Sequence, residues 1–230
     1  MGDVAIVRLN DVATLNALTT QMIEEFDAAL DHVRGSARAM ILTGAGRAFC
    51  SGARLNGGLS RSDDAEGPDF GAALESHINP FMTGLRDFPV PWIAAVRGAA
   101  AGVGCALALA ADLVVASDTA YFMQAFARIG LVPDGGSSHL LARGLTRVRA
   151  MELMLLGERL PAQTALEWGS SAAWSPTANS KRHRSIWRCV WPAARGHDLL
   201  SIRRHLQPSR QGWFPCTCSS CPRRSAASSR

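Results

Sequence analysis

The stretch Trp92–Ala116, WIAAVRGAAAGVGCALALAADLVVA, limits the possible folds more than any other part of the chain. It is apolar almost throughout. Arg97, Gly98, Gly102, Gly104 and Asp112 interrupt it, which rules against one membrane-spanning helix. It reads as a buried strand, Trp92–Val96, then a small-residue loop, Gly98–Gly104, opening an apolar helix to Ala111. A second buried strand, Leu113–Ala116, follows.

The same reading extends along the chain. Val4–Leu9 is a short strand. Thr19 and Thr20 can cap a helix from about Gln21 to Val33, with Ile23, Phe26, Leu30 and Val33 at helical spacing. Glu24 and Glu25 are expected in its first turn and Gly35 at its stop. Ala39–Thr43 is a buried strand leading into the turn Gly44-Ala45-Gly46. Residues 56–69 form a polar, flexible loop and Phe70–Leu85 a helix. Tyr121-Phe122 is a short strand, and helices are expected near Ser137–Leu141, Val148–Leu156 and Ala162–Trp168. Strands alternating with helices predict an α/β layered domain.

Composition divides the chain at Gly169. Residues 1–169 hold 13 Arg, no Lys and 18 Asp+Glu, a balance of −5. Residues 170–230 hold 11 Lys+Arg and one acid, Asp198, a balance of +10. Any argument for nucleic acid therefore rests on the tail alone. Cys50 and Cys105 lie before the break, and Cys189, Cys216, Cys218 and Cys221 after it. Two scattered cysteines and no secretory pattern in Met1-Gly2-Asp3-Val4 predict a cytoplasmic protein without a membrane partner.

Two stretches share one design, a buried strand ending in a tight glycine turn: ILTGAGRAFCSGARL (41–55) and AAVRGAAAGVGCALALA (94–110). At the second, the N–H groups of Val103 and Gly104 lie near a helix start and lack an intrahelical partner. Two such turns face to face could aim two N–H donors at one oxygen, an oxyanion hole. The plainer alternative is a pair of strand-to-helix turns with glycines for close packing.

AFCSGARL, GAAAGVGCALALAADLVVAS, FARIGLVPDGGSSHLL and AMELMLLGERLPAQTALEWG, with LNDVATLNALT before them, resemble the crotonase (enoyl-CoA hydratase/isomerase) family in order and spacing. The resemblance runs from about Val4 to Gly169. It implies a stack of ββα units closed by a C-terminal helical region, assembly as a homo-trimer or hexamer, and acyl-CoA thioesters as substrates. Coenzyme A then enters as part of the substrate, with no permanently bound cofactor and no metal. It also implies that the backbone N–H groups of Ala53 and Val103 are the oxyanion donors, within a binding segment of Gly52, Ala53, Arg54, Leu55, Gly102 and Gly104. Arg54 could meet a CoA phosphate.

The departures bear on the reaction. Hydratases of the family place glutamates where this chain has Ala106 and Phe126, and neither can move a proton. What remains is Asp134 in LVPDGG, which resembles the aspartate of family isomerases, among them the epoxyphenylacetyl-CoA isomerase group. One buried carboxyl with a pKa raised toward neutrality suits a double-bond shift. Asp134 could otherwise be a cap before the helix at Ser137. Cys50 and Cys105 are expected to be inert core thiols. The enzyme reading favours isomerase over hydratase; the alternatives are a catalytically impaired acyl-CoA-binding remnant and, more weakly, nucleic-acid binding by the tail.

The tail matches no common zinc spacing, although Cys216, Cys218 and Cys221 cluster there. Its richness in Ser, Trp and Cys has another source. Codons for these residues mostly begin with T, and a one-base slip turns that T into the middle base of Phe, Leu, Ile, Met or Val codons. Residues 170–230 are therefore expected to be a frameshifted segment without a packed core, standing where the family's closing helices belong.

Overall fold

In the computed structural model, residues 4–54, 70–169 and 173–175 are described. The core is a parallel sheet of β1 (Val4–Leu9), β2 (Ala39–Gly44), β3 (Trp92–Val96), β5 (Leu113–Ser117) and β8 (Ala173–Ser175), in that spatial order. Met40 and Leu42 of β2, and Trp92 and Ala94 of β3, are sealed from solvent. Their apolar runs suit strands covered on both faces.

Helix α1 (Thr20–Ser36) packs through Ile23, Phe26, Leu30 and Val33. Phe26 meets Phe81 edge-on at 5.1 Å, worth about 0.5–1.5 kcal/mol beyond area burial. Thr19 caps the helix by accepting from Met22 N at 3.1 Å. Two details differ from expectation. Glu24 and Glu25 fall beyond the first turn. Gly35 is helical, and the chain turns extended only at Ala37, whose N–H closes the helix on Val33 O.

The helical run 70–86 is not uniform. It comprises α2 (Phe70–Ala73), a π-helical stretch (Leu74–Ile78) and α3 (Asn79–Arg86). The expected loop at Gly98–Gly104 contains a strand, β4 (Ala99–Ala101), which opens a second sheet with β6 (Tyr121–Met123) and β7 (Leu160–Pro161). Helix α4 (Val103–Leu109) follows at once. Then come a 3-10 turn (Phe126–Ile129), α5 (Ser137–Gly144), α6 (Arg147–Leu156) and α7 (Ala162–Glu167).

Two short bridges extend the second sheet toward the N-terminus. Cys50 pairs with Ala100, and Leu18 pairs with Ala53. Residues 15–18, 50–54 and β4 thus lie side by side.

β8 lies past the compositional break at Gly169, so the main sheet takes in three residues of the tail. The edge of β5 presents backbone N–H and C=O groups that any extended segment can satisfy, whatever its side chains. The remaining tail residues, 170–172 and 176–230, lie outside the described residues, as do loop 56–69 and Leu55.

Candidate active site

Three glycines bring three segments together. Gly52 has φ +108° and Gly102 has φ +53°, both in the region that side chains avoid. A Cβ on Gly52 would lie 3.0 Å from Ala101 O and 3.9 Å from Gly102 Cα. The two glycine turns therefore face each other through their missing side chains. Gly135, at φ +58°, does the same for the third segment: its Cβ would sit 2.9 Å from Val103 Cγ2 and 3.4 Å from Ala106 Cβ. That close approach holds Asp134 beside the start of α4.

The turns surround a cavity of about 200 Å³. Ala53, Val103 and Asp134 all line it, with Ser51, Gly52, Arg54 and Gly102. Its other walls are apolar: Leu74, Ile78, Ala125, Phe126, Ile129 and Leu131. Leu55 lies outside the described residues. Gly104 does not line the cavity. Its α-hydrogen side packs on Cys50, where a Cβ would come within 2.6 Å of the carbonyl oxygen and 2.7 Å of Sγ. It is a packing glycine that lets α4 lie on the 50–54 segment.

The backbone amides at Ala53 and Val103 are set apart by the ladder geometry. Leu18 N donates to Gly52 O at 2.8 Å, and Arg54 N donates to Leu18 O at 2.9 Å. A parallel bridge of this pattern uses the groups flanking Ala53, so its own N–H points to the other side. Val103 is the first residue of α4, and its N–H precedes the first intrahelical bonds. Among the described residues, neither N–H donates to a backbone carbonyl.

Asp134 is not a helix cap. The cap of α5 is Gly136, with no side-chain bond. Asp134 contributes its carbonyl, accepting from Ser137 N at 2.9 Å and from Ser137 Oγ at 2.6 Å. Its Oδ1 is buried without a hydrogen-bond partner among the described residues. Burial pushes the carboxyl up from 3.8 to about 7, while its own backbone N–H pulls less strongly the other way. Among the described residues, Asp134 is the sole carboxyl on the lining.

The two positions without glutamates are equally plain. Phe126 is buried on the cavity wall, its Cζ 3.6 Å from where a Cβ on Gly102 would lie. Ala106 is sealed beneath Gly135. Arg54 is exposed at the rim. Burial pushes the thiols of Cys50 and Cys105 up to about 12, so both stay protonated and inert. Among the described residues, no group of three His, Cys, Asp or Glu could hold a metal ion, and no helix is long and apolar enough to cross a membrane.

The sequence reading did not single out Leu74, Ile78, Ala125, Ile129 or Leu131 as lining residues. The Ile-Gly turn after Phe126 carried the available signal: Gly130 at φ +72° lets Leu131 N return to Phe126 O at 3.0 Å, folding the apolar wall.

The chain is similar to known proteins in sequence and fold. Residues 1–188 match the family profile described as Enoyl-CoA hydratase/isomerase. The 1,2-epoxyphenylacetyl-CoA isomerase of Escherichia coli is 42% identical over 207 residues, covering 88% of this chain and 72% of that protein. A probable enoyl-CoA hydratase of Rhodobacter capsulatus is 42% identical over 184 residues, covering 80% and 68%. The crystal structure of an enoyl-CoA hydratase from Polaromonas sp. JS666 superposes with a TM-score of 0.77 at 33% identity, covering 89% of this chain and 79% of that one. With the profile spanning most of its length, the chain belongs to the enoyl-CoA hydratase/isomerase family of enzymes.

Proposed function

We propose that this enzyme shifts a double bond in an acyl-CoA thioester through an enolate, rather than adding water. The observation that carries this reading is a cavity whose one carboxyl among the described residues, Asp134, faces the Gly52 and Gly102 turns, with Phe126 and Ala106 in place of further carboxyls. In this mechanism the Asp134 carboxylate takes a proton from the carbon next to the thioester carbonyl, or from its vinylogue. The electron pair moves onto the carbonyl oxygen, which accepts hydrogen bonds from the N–H groups of Ala53 and Val103. The neutral carboxyl then returns the proton to the other end of the conjugated system. Each donor lowers the barrier by about 3–4 kcal/mol. The apolar walls keep water from the enolate, and Arg54 at the rim meets a CoA phosphate.

The test is product analysis with a panel of enoyl-CoAs. Double-bond migration without a hydroxyacyl product supports the reading; stoichiometric hydration overturns it. The pH profile follows from the base. A carboxyl with a folded pKa of about 7 is carboxylate only above that value, so kcat should fall about tenfold for each pH unit below it. A flat profile down to ordinary carboxylate pKa values would contradict a proton-transfer role.

Phe126 sets the size of the acyl pocket. Phe126→Ala should lower stability by about 3–5 kcal/mol in chemical denaturation. It should also shift kcat/KM toward bulkier acyl groups across the same panel. Unchanged selectivity would remove Phe126 from the acyl wall.

The compositional break after Gly169 favours a second reading, an acyl-CoA-binding remnant whose closing helices were lost when the frame of residues 170–230 slipped. CoA-ester binding without turnover of any panel member is its signature. Resequencing the gene decides the frame: one base inserted near codon 169 should open a family-like continuation, and no such frame would end the idea.

A further inference from the structure

Asn16 lies outside the cavity, yet its amide is among the most heavily bonded side chains in the chain. It is fully buried. Its Oδ1 accepts from Asp11 N at 2.9 Å. Its Nδ2 donates to Ala45 O and Ala48 O, each at 2.9 Å, and to Phe49 O at 3.2 Å. The turn 44–49 folds tightly enough that a Cβ on Gly44 would fall 2.3 Å from Ala48 O and 2.4 Å from Phe49 O. Three carbonyls of that turn therefore converge on one NH2 group.

The backbone there is strained in a way that only the bonds explain. Leu15 and Asn16 both have φ +60°, a left-handed conformation uncommon outside glycine and especially unfavourable for leucine. Asn tolerates it best of the side chains that carry both an acceptor and a donor.

The consequence runs directly to Ala53. The residues on either side of Asn16 form one side of the ladder that orients the 51–54 segment. Ser51 N donates to Leu15 O at 3.0 Å, Ser51 Oγ to Thr14 O at 2.9 Å, Leu18 N to Gly52 O and Arg54 N to Leu18 O. The amide ties this loop to the turn that enters the same segment. Both ends of the frame around the Ala53 N–H thus meet at one side chain.

We infer that Asn16 is a positioning residue, whose four hydrogen bonds set the register of Leu15–Leu18 against Ser51–Arg54 and so aim the Ala53 N–H at the substrate carbonyl. The inference rests on the oxyanion role proposed above, and the test separates the two. Two variants are compared with the wild-type chain. Asn16→Ala deletes the amide and keeps the backbone strain. Asn16→Gly deletes the amide and takes φ +60° freely, so it keeps the experiment informative where Asn16→Ala does not fold. The probe is butyryl-CoA labelled with ¹³C at the thioester carbonyl, an unreactive ligand, read by infrared difference spectroscopy. In the wild type the bound carbonyl stretch should fall below that of the free ligand. In Asn16→Gly the ligand should still bind, its stretch should return most of the way to the free value, and kcat should fall about 100-fold with KM little changed. A full wild-type shift in Asn16→Gly overturns the positioning role and leaves the oxyanion hole standing. No shift in the wild type overturns the oxyanion hole and the positioning role with it.

Discussion

Asp134→Asn should lower kcat on an enoyl-CoA by about 10²–10⁴-fold and, at the same time, make the protein more stable above neutral pH. Both effects come from one buried carboxyl. Its folded pKa is about 7 against 3.8 for the exposed group. The folded state therefore holds the proton to higher pH than the unfolded chain does. Stability falls as pH rises through the window between those two values, and the full penalty persists above it. Three pKa units correspond to on the order of 4 kcal/mol. Asn has no proton to lose and escapes that penalty. Chemical denaturation at about pH 4 and about pH 8 checks the sign: wild type and variant should differ little in acid, and the variant should lead in base. A gap independent of pH would mean that Asp134 does not carry the charge burial argued here. Full activity in the variant would remove it from the chemistry.

Gly52→Ala should be the second severe change, by a different route. At φ +108°, alanine is strained in any surroundings, and its Cβ would press on Ala101 O at 3.0 Å. That oxygen belongs to backbone, which cannot swing aside as a side chain does. The relief is for the 51–54 segment to move, and the Ala53 N–H moves with it. Loss of one donor predicts a fall in kcat of about 10²–10³. KM should change less, because the donor acts mainly on charge that develops during reaction. Gly35→Ala is the control. Gly35 is helical, exposed and has nothing within 4 Å of an added Cβ. It should gain up to about 1 kcal/mol and leave turnover unchanged. Equal losses in both variants would show that the effect at Gly52 is general destabilisation rather than a displaced donor.

Sequence periodicity was a good guide where one chemical pattern had one structural meaning. The apolar runs at Ala39–Thr43, Trp92–Val96 and Leu113–Ala116 are the central strands β2, β3 and β5. It failed where small residues serve two purposes. Ala99–Ala101 looked like loop filler beside glycines, yet alanines here are narrow enough for β4 to run close against Cys50. Gly35 looked like a helix stop because the rule expects glycine at the cap, whereas this helix is closed two residues later by Ala37 N–H on Val33 O and Ser36 Oγ on His32 O. The site shows the same division. Asp134 could be singled out because LVPDGG resembles the segment that carries the aspartate of family isomerases. Asn16 sits in LNAL as one polar residue among apolar ones, and its importance lies in three carbonyls about 30 residues further along the chain that only folding gathers.

The oxyanion role proposed for the Ala53 and Val103 N–H groups has a consequence for inheritance. A peptide N–H is supplied by every amino acid but proline, so most codon changes at these two positions leave it in place. Side chains at 106, 126 and 134 are under no such protection. On this scaffold an acid or base can therefore be exchanged, and the reaction with it, while the two backbone N–H groups stay in place. The glycines beside them, Gly52 at φ +108° and Gly102 at φ +53°, have no such freedom, because any side chain there is strained.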